Sequence, residues 1–174
     1  CAEDGPRGID PGGEYRALQQ FMLAQMNAGM LLCLCSRNDE KDVLEVFERR
    51  SDMVLRREHL ASWRINWNRK SDNLRSLSRE LGLGLDSFVF VDDNPLECAE
   101  VRINCPGVLA LTLPQADGSL GAFLDQVWAF DRPQETQEDR SRTRMYRENA
   151  QRERLRERSG SLKDFVEGLG LRVE

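Results

Sequence analysis

Three groups of residues in this 174-residue chain could act together on a phosphoryl group. FVFV (88–91) runs straight into Asp92, Asp93, Asn94 and Pro95. Adjacent carboxylates are unfavourable unless water, a cation or a metal compensates them, so the pair asks for a partner. MLLCLC (30–35) runs into Ser36, a hydroxyl donor, and Lys70 lies inside WRINWNRKSDN. Hard oxygen ligands suit Mg2+, which usually takes one or two carboxylates and keeps several waters. Metal and lysine would neutralise a transferring phosphoryl group, while the hydroxyl and backbone amides hold its oxygens. Singly, each signal is weak: a serine after a strand most often caps a helix, and a lysine is most often a surface cation. In the order hydroxyl, lysine, acid pair, they are far more specific.

The elements that must position these groups can be read from periodicity. EYRALQQFMLAQMNAG (14–29) spaces Tyr15, Leu18, Phe21, Met22 and Met26 as a helix does, and Gly29 suits its stop. MLLCLC is a continuous apolar run, as in a parallel strand covered on both faces. After it, Asn38 or Asp39 can cap a helix over DEKDVLEVFERR. A short strand is expected around MVL (53–55). KSDNLRSLSRELGLG (70–84) reads as a helix closed by Gly82, and FVFV follows as a strand. The next helix starts at Pro95, which suits the first helical position. VLALTL (108–113) is a strand and SLGAFLDQVWAF (119–130) a helix. Such alternation predicts an α/β fold with a mainly parallel sheet, whose ligands bind outside the carboxyl ends of the strands. Ser36 and Asp92/Asp93 fall at that edge, and Lys70 opens the helix leading to it. A response-regulator receiver domain has a similar sheet, but its acid pair comes early and its lysine late.

Composition narrows the class. With 40% apolar and 32% charged residues and a net charge of −5, the chain can build a core and offers no basic face for nucleic acid. The longest apolar run, AGMLLCLC, falls short of the about 20 residues that span a bilayer. Neither a nucleic-acid partner nor a membrane is expected. Five cysteines without CxxC or Cys/His spacing point to reduced thiols in a cytoplasm and away from zinc. His59, the single histidine, sits in RREHLAS and is expected at the surface. From about Arg132 the chain changes character: residues 132–160 hold nine arginines against six acids and read as a charged helical connector. The expected organisation is a core over 1–131, this connector, and the start of a further α/β domain over 161–174.

The words around these residues carry a resemblance. Ser36, Lys70 and Asp92/Asp93 match the second, third and fourth motifs of the haloacid dehalogenase (HAD) superfamily of phosphoryl-transfer enzymes. CSRND, DMVLRREHLASWRINWNRKSDNL and LGLDSFVFVDDNPLECAEVR resemble its FkbH-like branch over about residues 2–145. The resemblance implies a capless, HAD-like Rossmannoid parallel sheet with flanking helices. It implies Mg2+ as the metal, 1,3-bisphosphoglycerate as substrate and an acyl carrier protein as partner. A glyceryl unit would be dephosphorylated and passed to the carrier's phosphopantetheine thiol, priming polyketide biosynthesis. By the same resemblance Asp92 is a metal ligand, with Asp93 a second ligand or an orienter of the loop. Ser36 would hold a phosphoryl oxygen and Lys70 would bridge phosphate and nucleophile. Arg37 and Asn38 would contact the glycerate or its phosphate, although the family more often has lysine at Arg37. Cys35, next to Ser36, could carry the glyceryl group on its thiolate, or be a small buried residue under the site.

The HAD motif that supplies the nucleophile, Asp-x-Asp-x-Thr on a first strand, does not occur in this sequence. CAEDGPRGI resembles the segment just after that strand, and Asp4 and Asp10, in turn-rich sequence, are poor substitutes. The expectations are an internal piece or truncated frame of a longer protein and a sheet lacking its central strand. Two functions compete. One is the core of a glyceryl-carrier protein synthase, catalytic when its first strand is present. The other is a non-catalytic, degenerate HAD-like module that binds a carrier protein or scaffolds an assembly line.

Overall fold

Four strands and five helices alternate along the described part of the chain. The computed structural model describes residues 13–114, 120–131, 144–146, 148, 149 and 152. Helix α1 (Glu14–Asn27) ends at Ala28, and Gly29 follows at φ 91°, a conformation that glycine adopts without strain. Strand β1 (Leu32–Ser36) then leads to α2 (Glu40–Arg49). Asp39 caps α2 by accepting from the N–H groups of Lys41 and Asp42, while Asn38 accepts from Asp39 N. Strand β2 (Leu60–Ile65) precedes α3 (Lys70–Leu81), which Gly82 closes in the left-handed region. Strand β3 (Val89–Asp92) runs into α4 (Pro95–Asn104), where Asn94 caps and Pro95 opens the helix. Strand β4 (Leu109–Thr112) and α5 (Leu120–Asp125) complete the order.

The strands form two parallel pairs. β1 lies beside β2, with Leu34 opposite Trp63 and Ser36 opposite Ile65. β3 lies beside β4, with Val89 opposite Leu109 and Asp92 opposite Thr112. Parallel neighbours need a crossover, and α2 and α4 supply one for each pair. Leu74 of α3, Phe90 of β3, Val101 and Cys98 of α4, and Ala110 of β4 pack into one buried cluster. Burying these side chains stabilises each by about 1.5–3 kcal/mol for the larger ones.

Three sequence expectations are corrected. The strand expected at 53–55 is a loop: Val54 and Leu55 spend their N–H groups on Gln19 Oε1 of α1, at 2.9 and 3.1 Å. The strand lies instead at Leu60–Ile65, where LASWRI hides its pattern behind polar residues. Ser62 is wholly buried and donates to Glu80 of α3, while Arg64 pairs with the same carboxylate at 2.7 Å. His59 is half-buried rather than a surface residue, because its Nδ1 accepts the Arg56 N–H at 3.0 Å and closes a short 3-10 turn. The helix expected over 119–130 is α5 followed by a 3-10 turn at Trp128–Phe130. The expected connector lies outside the described residues except for helical positions among 144–152. Asp4, Asp10 and 161–174 lie outside them entirely.

Candidate functional site

Lys70 is the first residue of α3, so the helix carries its side chain in over the ends of β1 and β3. Its ammonium is almost fully buried and donates to the Cys35 carbonyl at 2.8 Å and to Asp92 Oδ2 at 3.0 Å. Glu97 Oε2 lies 3.0 Å from the same nitrogen. Burial by itself would discharge this lysine. The Asp92 carboxylate, then Cys35 and Glu97, outweigh that penalty and hold its pKa above the usual 10.5.

The carboxylates divide. Asp92 points inward, with Oδ2 on Lys70 and Oδ1 accepting the Asn94 N–H at 2.9 Å. Asp93 is exposed and makes no hydrogen bond or ion pair among the described residues. The partner that the acid pair asks for is thus Lys70, and it serves Asp92 alone. Glu97 is the acid that joins Asp92 instead. It stands in the first turn of α4, where the positive end of the helix dipole favours a carboxylate. A sequence signal for it existed: an acid placed two residues after the proline that opens a helix.

Arg37 reaches across the mouth of the site, 3.3 Å from Glu97 Oε1 and 3.4 Å from the Asn68 carbonyl, which its Nε contacts. The structure therefore brings Ser36, Arg37, Lys70 and Asp92 to one edge, with Glu97 linking Arg37 to Lys70. Ser36 ends β1, its carbonyl accepts the Asn66 N–H, and its hydroxyl carries no hydrogen bond among the described residues. Asn38 turns its oxygen to the start of α2. Burial pushes the Cys35 thiol up to about 11, although Lys70 pulls the other way. At neutral pH it is a thiol, which gives the nucleophile reading no support; it packs against the core cluster instead. The described residues contain no group of three or more His, Cys, Asp or Glu able to hold a metal. Nor do they contain a helix long and apolar enough to cross a membrane.

No protein-family model and no curated protein matches this chain. A solved structure does: the N-terminal part of the protein BF1531 from Bacteroides fragilis, containing a phosphatase domain and complexed with Mg. The two share 35% identity with a TM-score of 0.64, over 72% of this chain and 32% of that one. The chain thus spans about a third of the length of the structure it matches. The observed fold, parallel strands with flanking helices, is the α/β fold of a HAD-like phosphatase domain. The likeness supports the HAD-like phosphatase part of the sequence resemblance and leaves its glyceryl-carrier part without support.

Proposed function

We propose that this chain forms much of a Mg2+-assisted phosphatase core that acts on a phosphorylated three-carbon acyl donor, 1,3-bisphosphoglycerate, and hands the glyceryl unit to an acyl carrier protein. One observation carries the phosphatase part: a buried ammonium at the carboxyl ends of two strands, held within 3.0 Å of two carboxylates. Ligands bind at such ends, and a buried cation there stabilises charge developing on phosphoryl oxygens. Lys70 would take that role. Ser36 would donate to a phosphoryl oxygen, and Arg37 would meet the rest of the substrate. Glu97 would keep Lys70 and Arg37 in place.

The donor set fits magnesium. Asp92 uses one lone pair on each oxygen, so each keeps another for a cation. Asp93 beside it is open to water, and Mg2+ is content with one or two carboxylates and several waters. Asp92 and Asp93 would hold the ion, which supplies Lewis-acid polarisation of the phosphoryl group when bound. The glyceryl and carrier parts rest on the sequence resemblance alone.

A second reading has its own observation. Lys70, Asp92, Glu97 and Arg37 already neutralise one another without any ligand. A self-satisfied cluster of this kind also suits a non-catalytic module that binds a carrier protein. The experiment that separates the two reads the intact mass of a phosphopantetheinylated carrier protein after incubation with 1,3-bisphosphoglycerate and Mg2+. It is run with this chain alone and with the chain preceded by an Asp-x-Asp-x-Thr strand. A glyceryl adduct that requires the added strand, and that Asp92→Ala abolishes, is the expected result. No adduct with either version overturns the glyceryl reading.

A further inference from the structure

Helix α3 begins with Lys70 but does not cap itself. Arg69, the residue before it, offers no side-chain acceptor to the first N–H groups. The opening turn of any helix leaves backbone donors unpaired, and a buried donor needs a partner from elsewhere. Here the partner comes from α4. Glu100 Oε2 accepts the Ser71 N–H at 3.2 Å, and Glu100 Oε1 accepts the Ser71 hydroxyl. Ser71 is only 1% exposed, so water cannot take over either bond. A carboxylate is also the favoured charge beside a helix N-terminus.

Glu100 is itself held in place. Asn104, one turn further along α4, donates to Glu100 Oε1 at 3.1 Å and to the Glu100 carbonyl at 2.9 Å. The buried Cys105 thiol donates to the Ser71 carbonyl at 3.6 Å. The C-terminal half of α4 thus grips the N–H, hydroxyl and carbonyl of the residue that follows Lys70. Glu97, one turn earlier on α4, meets the Lys70 ammonium at 3.0 Å. Residues three apart share one face of a helix, so that face of α4 holds Lys70 twice, by its ammonium and through its backbone neighbour. Among the described residues Glu100 makes no hydrogen bond or ion pair with Arg37, Lys70 or Asp92. It reaches the site only through α3.

We infer that Glu100 is a positioning residue for Lys70: from α4 it caps the N-terminus of α3 and so fixes the point from which the lysine side chain enters the site. The positioning rests on geometry, while its effect on turnover rests on the phosphatase reading. Without the cap the first turn of α3 is free to fray, and the ammonium loses its fixed place between Asp92 and Glu97. A buried ammonium held by a carbonyl and two carboxylates trades its protons with water only when the structure opens locally, which makes its placement observable.

The test follows the lysine ammonium groups of the full chain in proton–nitrogen correlation spectra, with Lys70→Arg identifying the Lys70 signal. Glu100→Ala is expected to speed proton exchange at this group by about tenfold or more. Glu100→Gln keeps an acceptor for the Ser71 N–H and can donate to its hydroxyl, so it is expected to stay within about twofold of wild type. Glutamine behaving like alanine would mean that charge, not the cap, acts on Lys70. Unchanged exchange in Glu100→Ala, even with a lower melting temperature, would mean a merely structural role. Either overturns the proposal, as does a wild-type chain without a Lys70 signal, since its lysine is then not fixed. Should Glu100→Ala not fold, Ser71→Ala decides: it removes the hydroxyl bond alone and is expected to speed exchange about threefold. No change there overturns the proposal too. In the chain preceded by an Asp-x-Asp-x-Thr strand, Glu100→Ala is expected to lower kcat for phosphate release from 1,3-bisphosphoglycerate by about tenfold or more, and an unchanged kcat overturns the proposal. No release by the wild-type version counts against the phosphatase reading alone, and the ammonium spectra then decide for Glu100.

Discussion

Lys70 governs its surroundings because two carboxylates and a carbonyl converge on one nitrogen. Removing one member of a buried charge cluster leaves the others uncompensated, at a cost of about 3–5 kcal/mol. Lys70→Met should therefore lower unfolding free energy in urea by about 3 kcal/mol. Adding Asp92→Asn in the same chain should recover part of that loss. The pH dependence has a definite sign. Burial opposes the charged lysine, but Asp92, Cys35 and Glu97 prevail, so its folded pKa lies above the 10.5 of the unfolded chain. The contribution is then complete below pH 10.5 and fades as pH rises through the higher folded value. The gap between wild type and Lys70→Met should stay constant up to about pH 10 and close above it. A gap that closes on acidification alone would contradict this account of Lys70.

At the scale of elements, a side chain decides what the backbone alone would leave open. Val54 and Leu55 look like strand residues, and Gln19 of α1 takes their N–H groups before any strand can. Losing a partner for a partly buried donor costs about 1–3 kcal/mol. Gln19→Ala should destabilise the chain by about 2 kcal/mol and speed exchange at both amides. Unchanged exchange at Val54 and Leu55 would show that the loop is held by something else. By contrast, the ends of α2, α3 and α4 were legible in advance. Asn38 or Asp39, Gly82 and Pro95 are local signals that act within a turn of chain, and the structure gives the first cap to Asp39 and adds Asn94 before Pro95. β2 was not legible, because buried Ser62 and half-buried Arg64 find their partner in Glu80, eighteen and sixteen residues away on α3.

Across the whole molecule, the two strand pairs are tied by α3, which packs on β1, β2 and α4 and lends Leu74 to the core around β3. Cys98 and Cys105 lie within that core with no exposed surface. A neutral thiol reagent should reach them only through global opening, and both should be labelled at one rate in peptide mapping by mass spectrometry. Independent rates would show that the β3–β4 half opens by itself. Cys35, on β1, should react faster as pH climbs towards about 11, where its buried thiol ionises.

The sequence by itself determined the alternation of strands and helices, the caps, and the three groups gathered at one sheet edge. Each depends on apolar periodicity or on contacts within a few residues. Tertiary structure alone decided which acid serves Lys70. Asp92 and Asp93 are indistinguishable as neighbours in sequence, yet Asp92 is the last residue of β3 and Asp93 lies in the bend beyond it, and only Asp92 meets the lysine. It also decided that Glu97 completes the cluster and that Cys35 stays a thiol, since both follow from burial and from charges brought in by other elements.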